Sequence, residues 1–121
     1  MGDGAADPLE AAMRSLRAEY LAESPERVRE LSAALGRLRV KDATALEELQ
    51  RLFHRLAGSG GSYGFPDVTD RSRAAEHAVA ALALETRPLV REDFAVLEHH
   101  VLAVTAAFRD AQRDFTAGPP G

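Results

Sequence analysis

Any chemistry in this chain has to start from four histidines, His54, His77, His99 and His100, because there is no cysteine. The missing thiols exclude a disulfide scaffold, a thiolate zinc site and a cysteine nucleophile. Zinc on a helix wants ligands at i and i+3 or i+4. No two of the histidines have that spacing, so no metal centre is expected. His99 and His100 adjoin the apolar Val101, which places one in solvent and one beside the core. No glycine-rich phosphate loop followed by Lys-Ser/Thr, and no G-x-G-x-x-G after a strand, is present, so no nucleotide site is expected. The Asp and Glu residues each fit an exposed helix face, which argues against a carboxylate acid–base pair.

His54 stands apart from the other three. At about 100° per residue, Leu46, Leu49, Phe53 and Leu56 fall within about 80° of one another, and His54 points about 120° from the centre of that arc. It therefore faces solvent, on the face that also carries Glu47, Arg51, Gly58 and Gly61. One turn beyond the imidazole lies Gly58 and two turns beyond lies Gly61, so nothing there projects further than a hydrogen. Gly58, Gly60, Gly61 and Gly64 fall within seven residues. Glycine inside a helix costs about 1 kcal/mol relative to alanine. Either the helix ends at Gly58 and the glycines form a loop, or they stay helical and make a flat landing surface beside an exposed imidazole. Spacing leaves both open.

The elements that must position His54 are all helical. A helix is expected from Pro8 to Ala22 on the stripe Leu9, Met13, Leu16, Tyr20. Ser24-Pro25-Glu26 starts a second, with Ser24 as N-cap, running to about Leu38 with Val28, Leu31, Leu35 and Leu38 inward. Asp42 is placed to cap the third, which carries His54. Phe65-Pro66-Asp67 starts a fourth, to about Glu85, with Val68, Ser72, Ala75, Val79 and Leu82 inward. Pro88 separates it from the last, Val90 to Phe115, where Phe94, Leu97, Val101, Val104, Phe108, Ala111 and Phe115 alternate by three and four. Short connections make neighbours antiparallel. The fold class is all-α: an antiparallel up-down-up-down four-helix bundle with an extra N-terminal helix across one end. Residues 8–115 form it, between disordered tails at 1–7 and 116–121.

Composition agrees and narrows the function classes. The 121 residues suffice for one domain, and 45% hydrophobic with 28% charged residues describes a globular core. Aromatics at 6% leave Leu and Ala to build it, which favours closely packed helices over a β-sandwich. A net charge of −4 argues against nucleic acid as a partner. No apolar run is long enough to span a membrane, and the acidic start is no signal peptide. The basic residues are almost all arginine, with Lys41 the only lysine, a bias of GC-rich genomes that points to a bacterial, cytoplasmic protein. No large apolar stripe is left once the bundle is built, so a monomer is expected.

The segment His54-Arg-Leu-Ala-Gly58-Ser-Gly-Gly-Ser-Tyr-Gly64-Phe65 resembles the signature of histidine phosphotransfer (HPt) domains. That signature has glycine at the fourth and tenth positions after the histidine, here Gly58 and Gly64, with small residues between. Tyr20-Leu-Ala-Glu-Ser-Pro-Glu-Arg27 is similar to the start of the second helix in many such domains, and the likeness extends from about Leu9 to Phe115. The resemblance implies a phosphorelay intermediate without ATP-binding or kinase activity of its own. His54 would take a phosphoryl group from the aspartyl phosphate of a response-regulator receiver domain, or from an upstream histidine kinase, and pass it to another receiver. No cofactor is implied on this chain, since Mg²⁺ belongs to the receiver. Gly58, Ser59 and Gly61 would form the docking surface. Many members carry lysine at the third position after the histidine; here it is Ala57, which leaves Arg51 or Arg55 as the phosphate-side cation. A neutral imidazole is nucleophilic without further activation. Two other readings share the bundle: a helical adaptor that docks receivers without phosphotransfer, and the phosphoacceptor fragment of a chemotaxis-type histidine kinase. Only the presence of His54 favours a carrier over an adaptor.

One further residue follows from antiparallel geometry. Residues equidistant from a helix turn lie level, and His54 is eleven residues before Phe65 while Glu76 is eleven after. Glu76 points about 80° from the centre of its helix's apolar stripe. It could accept a hydrogen bond from His54 Nδ1–H, fixing the tautomer and leaving Nε2 as the nucleophile. It could equally be a solvated flank residue pairing with Arg73 or Arg55. The phosphoacceptor domain of chemotaxis kinases, which this region resembles, has a glutamate at the same offset.

Overall fold

Proline opens three of the helices of this chain, and apolar residues every three or four positions run through all of them. The computed structural model describes residues 7–117, which form five α-helices and no strand. They are α1 (Pro8–Ala22), α2 (Ser24–Arg39), α3 (Ala45–Ser62), α4 (Pro66–Ala83) and α5 (Arg91–Ala117). Helices α2 to α5 are the antiparallel up-down-up-down bundle, closed by the packing of α5 on both α4 and α2. Helix α5 continues through Thr116 and Ala117, past the expected end at Phe115. Asp7 caps α1 by accepting from the Leu9 amide at 3.1 Å. The remaining tail residues, 1–6 and 118–121, lie outside the described residues.

Two helix starts differ from expectation. Ser24 does not cap α2; its hydroxyl is buried and donates to the Leu21 carbonyl at 2.7 Å, closing the break between α1 and α2. Asp42 bonds the first turn of α3 only through its backbone carbonyl, which accepts from the Ala45 amide at 3.1 Å. Its Oδ1 instead accepts from the amide and hydroxyl of Thr44, at 2.9 and 2.7 Å, which shapes the preceding turn.

The core is leucine, valine and alanine around two phenylalanines. Leu31, Leu49, Phe53, Val68, Val79, Leu97 and Val104 are fully buried, with Phe108 nearly so. Helix α1 is the exception to the expected stripes. Leu9 and Leu16 are 69% and 43% exposed, because α1 meets the bundle only through its last turns. There Leu21 is buried and Tyr20 stacks on Tyr63 and Phe65, while Arg17 Nε donates to the Tyr63 carbonyl at 3.0 Å. Apolar surface therefore remains on the first half of α1 after the bundle is built. No helix among the described residues is long and apolar enough to cross a membrane.

Candidate functional site

Helix α3 is locked in rotation by its buried side, where Leu49, Leu52, Phe53 and Leu56 meet the core. That phase turns His54 outward, with its side chain 71% exposed. The helix does not stop at Gly58. It runs through Gly58, Gly60 and Gly61 to Ser62, so these three glycines are helical rather than a loop. It ends in a Schellman motif: Phe65 N–H donates to Gly60 O and Gly64 N–H to Gly61 O, with Gly64 at φ 88°.

The glycines serve different ends. At Gly58 a Cβ would meet nothing within 4 Å, so the surface beside His54 is open. At Gly60 a Cβ would stand 2.9 Å from Thr69 N, Thr69 Oγ1 and Val68 Cγ1. Gly60 is thus what lets α3 and α4 approach, and Thr69 uses that approach to donate to the Ala57 carbonyl at 2.6 Å. Gly61 is exposed, yet its Cβ would touch Thr69 Oγ1 at 3.2 Å, so it borders the seam with α4.

Close approach of α4 brings Glu76 opposite His54. Nδ1 and Glu76 Oε2 are 2.7 Å apart, and the Glu76 side chain is 22% exposed. A carboxylate only accepts, so Nδ1 carries the hydrogen. Nε2 then has its lone pair directed away from that bond, with no hydrogen-bond partner among the described residues. Of the two geometries left open for Glu76, the structure has the contact with His54; among the described residues it makes no ion pair with Arg73 or Arg55.

The remaining candidates are dispersed. Arg51 and Arg55 are exposed and make no ion pair among the described residues. Arg55 faces a groove of about 340 Å³ shared with Tyr20, Glu23, Arg27 and Glu30, on the α1–α2 side of α3. Ser59 is not on the His54 face. Five residues on, it is turned about 140° round the helix, and its hydroxyl pairs with Tyr20 OH at 2.7 Å. Burial pushes the Tyr20 phenol above its ordinary value of 10.0. Ser59 therefore ties α3 to α1 and points away from the His54 face. Ala57 is 6% exposed in the α3–α4 seam. His77 follows Glu76 on α4 and faces solvent. His99 and His100 lie edge to face on α5, 5.7 Å between ring centroids, and burial together with the neighbouring His99 lowers the His100 pKa. Among the described residues no three His, Asp or Glu side chains are grouped as a metal site.

Thr69 and the Tyr20–Ser59 pair escaped sequence reasoning. Thr69 carries no local signal, since its partner carbonyl is twelve residues away on another helix. Tyr20 could have been found by asking which side chain faces the polar residue on the inner side of the glycine run.

The model of the Hpt domain family matches residues 15–108. No curated protein and no solved structure matches the chain.

Proposed function

The chain belongs to the Hpt domain family, the histidine phosphotransfer modules of phosphorelays, and from that membership we propose that it is a phosphorelay intermediate with His54 as its phosphoacceptor. The observation that carries this reading is the exposed imidazole with Nδ1 tied to Glu76 at 2.7 Å, beside the open surface at Gly58.

The reaction proceeds by in-line displacement at phosphorus. The Nε2 lone pair attacks the phosphoryl group of a receiver aspartyl phosphate. The P–Nε2 bond forms as the P–O bond breaks, and the electron pair leaves on the aspartate carboxylate. No proton has to move to start it, because Nδ1 already holds the hydrogen and Nε2 is bare. The ring gains positive charge as the new bond forms, and the Glu76 carboxylate hydrogen-bonded at Nδ1–H offsets that charge where it develops. The reverse displacement by a second receiver's aspartate returns the ring to its starting tautomer. Positioning and electrostatics do most of the work in phosphoryl transfer, so an exposed nucleophile held in one tautomer suffices on this side. The aspartate and its Mg²⁺ belong to the receiver, and this chain needs no cofactor of its own. It carries the phosphoryl group and does not generate it from ATP.

Incubation with a phosphorylated receiver domain tests the reading. The wild type should acquire acid-labile phosphate and His54→Gln none. Glu76→Gln should react more slowly, and its ¹⁵N shifts should reveal Nδ1 losing its hydrogen in part of the population. Equal labelling of wild type and His54→Gln would remove His54 from the role.

A further inference from the structure

A phosphoryl group on Nε2 would bring about two negative charges to a histidine that already touches the Glu76 carboxylate. A cation within reach has to offset them. Arg51 and Arg55 of α3 are the sequence candidates, and the structure sets both on the far flank. Counted at about 100° per residue from His54, Arg51 lies about 60° and Arg55 about 100° round α3 in one direction. Ala57, Gly60 and Gly61, which border α4, lie in the other. Arg55 moreover faces the groove that holds Glu23 and Glu30.

Helix α4 offers a cation from the opposite wall. Its level against α3 is set by two contacts, Thr69 Oγ1 to Ala57 O at 2.6 Å and Glu76 Oε2 to His54 Nδ1 at 2.7 Å. Arg73 lies between Thr69 and Glu76, so it stands level with α3 between His54 and Ala57, near Arg55. It is three residues before Glu76, hence on the same side of α4 one turn away. It is exposed, and among the described residues it has no hydrogen bond or ion pair. On the α4 side of His54 the next turns of α3 carry only Ala57, Gly60 and Gly61, so little side chain projects there.

The geometry points to Arg73 as a phosphoryl-binding residue, its guanidinium reaching from the α4 side to hold the oxygens of the group on His54 Nε2. This rests on the phosphotransfer reading of His54. A guanidinium presents paired N–H donors that match two phosphoryl oxygens at once. Charge spreads over the three equatorial oxygens in the loose transition state, so Arg73 stabilises that state for transfer in either direction.

Phosphoramidate tests this without a partner protein. Its P–N bond breaks, the P–Nε2 bond forms on His54, and ammonia leaves with the proton balance taken from water. The rate of phosphohistidine formation is followed by ³¹P NMR in wild type, His54→Gln, Arg73→Gln, Arg73→Lys, Arg51→Gln and Arg55→Gln. Wild type should be labelled and His54→Gln not. Arg73→Gln should be slower by about tenfold or more, with Arg73→Lys between, while the two α3 variants stay within about twofold. In the phosphorylated wild type the Arg73 Nε–H resonance should move downfield, a change that a merely structural role would not produce. The His54 ¹⁵N shifts of unphosphorylated Arg73→Gln should match wild type, showing the tautomer intact. A wild-type rate in Arg73→Gln, or an unmoved Arg73 resonance, overturns the assignment even if His54 is labelled. Failure of wild type to be labelled at His54 overturns the phosphotransfer reading and this assignment with it.

Discussion

Two glycines two positions apart should respond to substitution with opposite signs. Gly58 has open space where a side chain would go, and Gly60 has the α4 backbone at 2.9 Å. Gly58→Leu replaces a poor helix former with a good one and meets no neighbour, so the folded state should gain about 0.5–1 kcal/mol. The same leucine stands one turn from His54 on the approach path, so transfer from a phosphorylated receiver should fall by at least about tenfold, of the order set by misplacing reacting groups. Gly60→Ala has to push α3 from α4 and should destabilise by about 1–3 kcal/mol. Urea unfolding and a receiver-transfer assay check both. A folded Gly58→Leu with unchanged transfer rates would mean that no partner approaches over Gly58. His54 was legible in the sequence because its phase on an amphipathic helix is arithmetic. The division of labour between Gly58 and Gly60 was not, because it depends on Thr69 and Val68, which reach α3 only after α4 has packed.

The helix ends carry the next set of consequences. Helix α2 closes with Asp42 N–H on Arg37 O and Lys41 N–H on Leu38 O, the same motif that closes α3, but here Lys41 occupies the left-handed position at φ 68°. A side chain there costs about 1–2 kcal/mol, and glycine's extra unfolded-state entropy returns part of that. Lys41→Gly should therefore stabilise the chain by about 0.5–1 kcal/mol, read as a higher unfolding midpoint; a lower midpoint would contradict it. Helix α5 opens on Asp93, whose carboxylate accepts from Arg87 Nη1 at 2.7 Å and from the Val90 amide at 2.8 Å. The Arg87 and Val90 hydrogen bonds lower its pKa from 3.8 to about 2. Because the folded value lies below the unfolded one, the stabilisation is complete above about 3.8 and is lost as pH falls towards about 2. Asp93→Asn should be less stable than wild type at neutral pH, and the gap should close across that acid range. A gap independent of pH would mean that the ionised carboxylate is not the stabilising form. Proline, serine and glycine marked where these helices begin and end. Which hydroxyl or carboxylate bonds which amide was beyond that reading, as Ser24 and Asp42 illustrate, because a cap depends on one or two residues of frame.

At the scale of the molecule, the bundle was legible because its four helices each bury one continuous stripe, and three-and-four spacing encodes that directly. Helix α1 carries an equally good stripe, Leu9, Met13, Leu16 and Tyr20, yet little of it is buried. Periodicity states that a face is apolar and is silent on whether a neighbour exists to cover it. What joins α1 to the bundle is a cluster at one end: Tyr20 stacks on Tyr63 and Phe65, lies 6.0 Å from the Phe108 ring, and pairs with Ser59. Phe108 is the part of this cluster that reaches the core, at 2% exposure, and it floors the groove that runs past Arg55. Phe108→Ala should cost about 3–5 kcal/mol through lost burial and the cavity left behind. The loss has a second, separable effect, because Tyr20 rests on that ring and pairs with Ser59, while His54 and Glu76 meet on a different side of α3, about 140° round the helix from Ser59. In mildly denaturing conditions the variant should lose amide protection first in α1 and the end of α5, with the seam and its His54–Glu76 contact retained. Hydrogen exchange resolves this helix by helix. A cost below 1 kcal/mol would contradict the burial of Phe108, and simultaneous loss of protection in α1 and the seam would make the end cluster and the phosphotransfer face one cooperative unit rather than two.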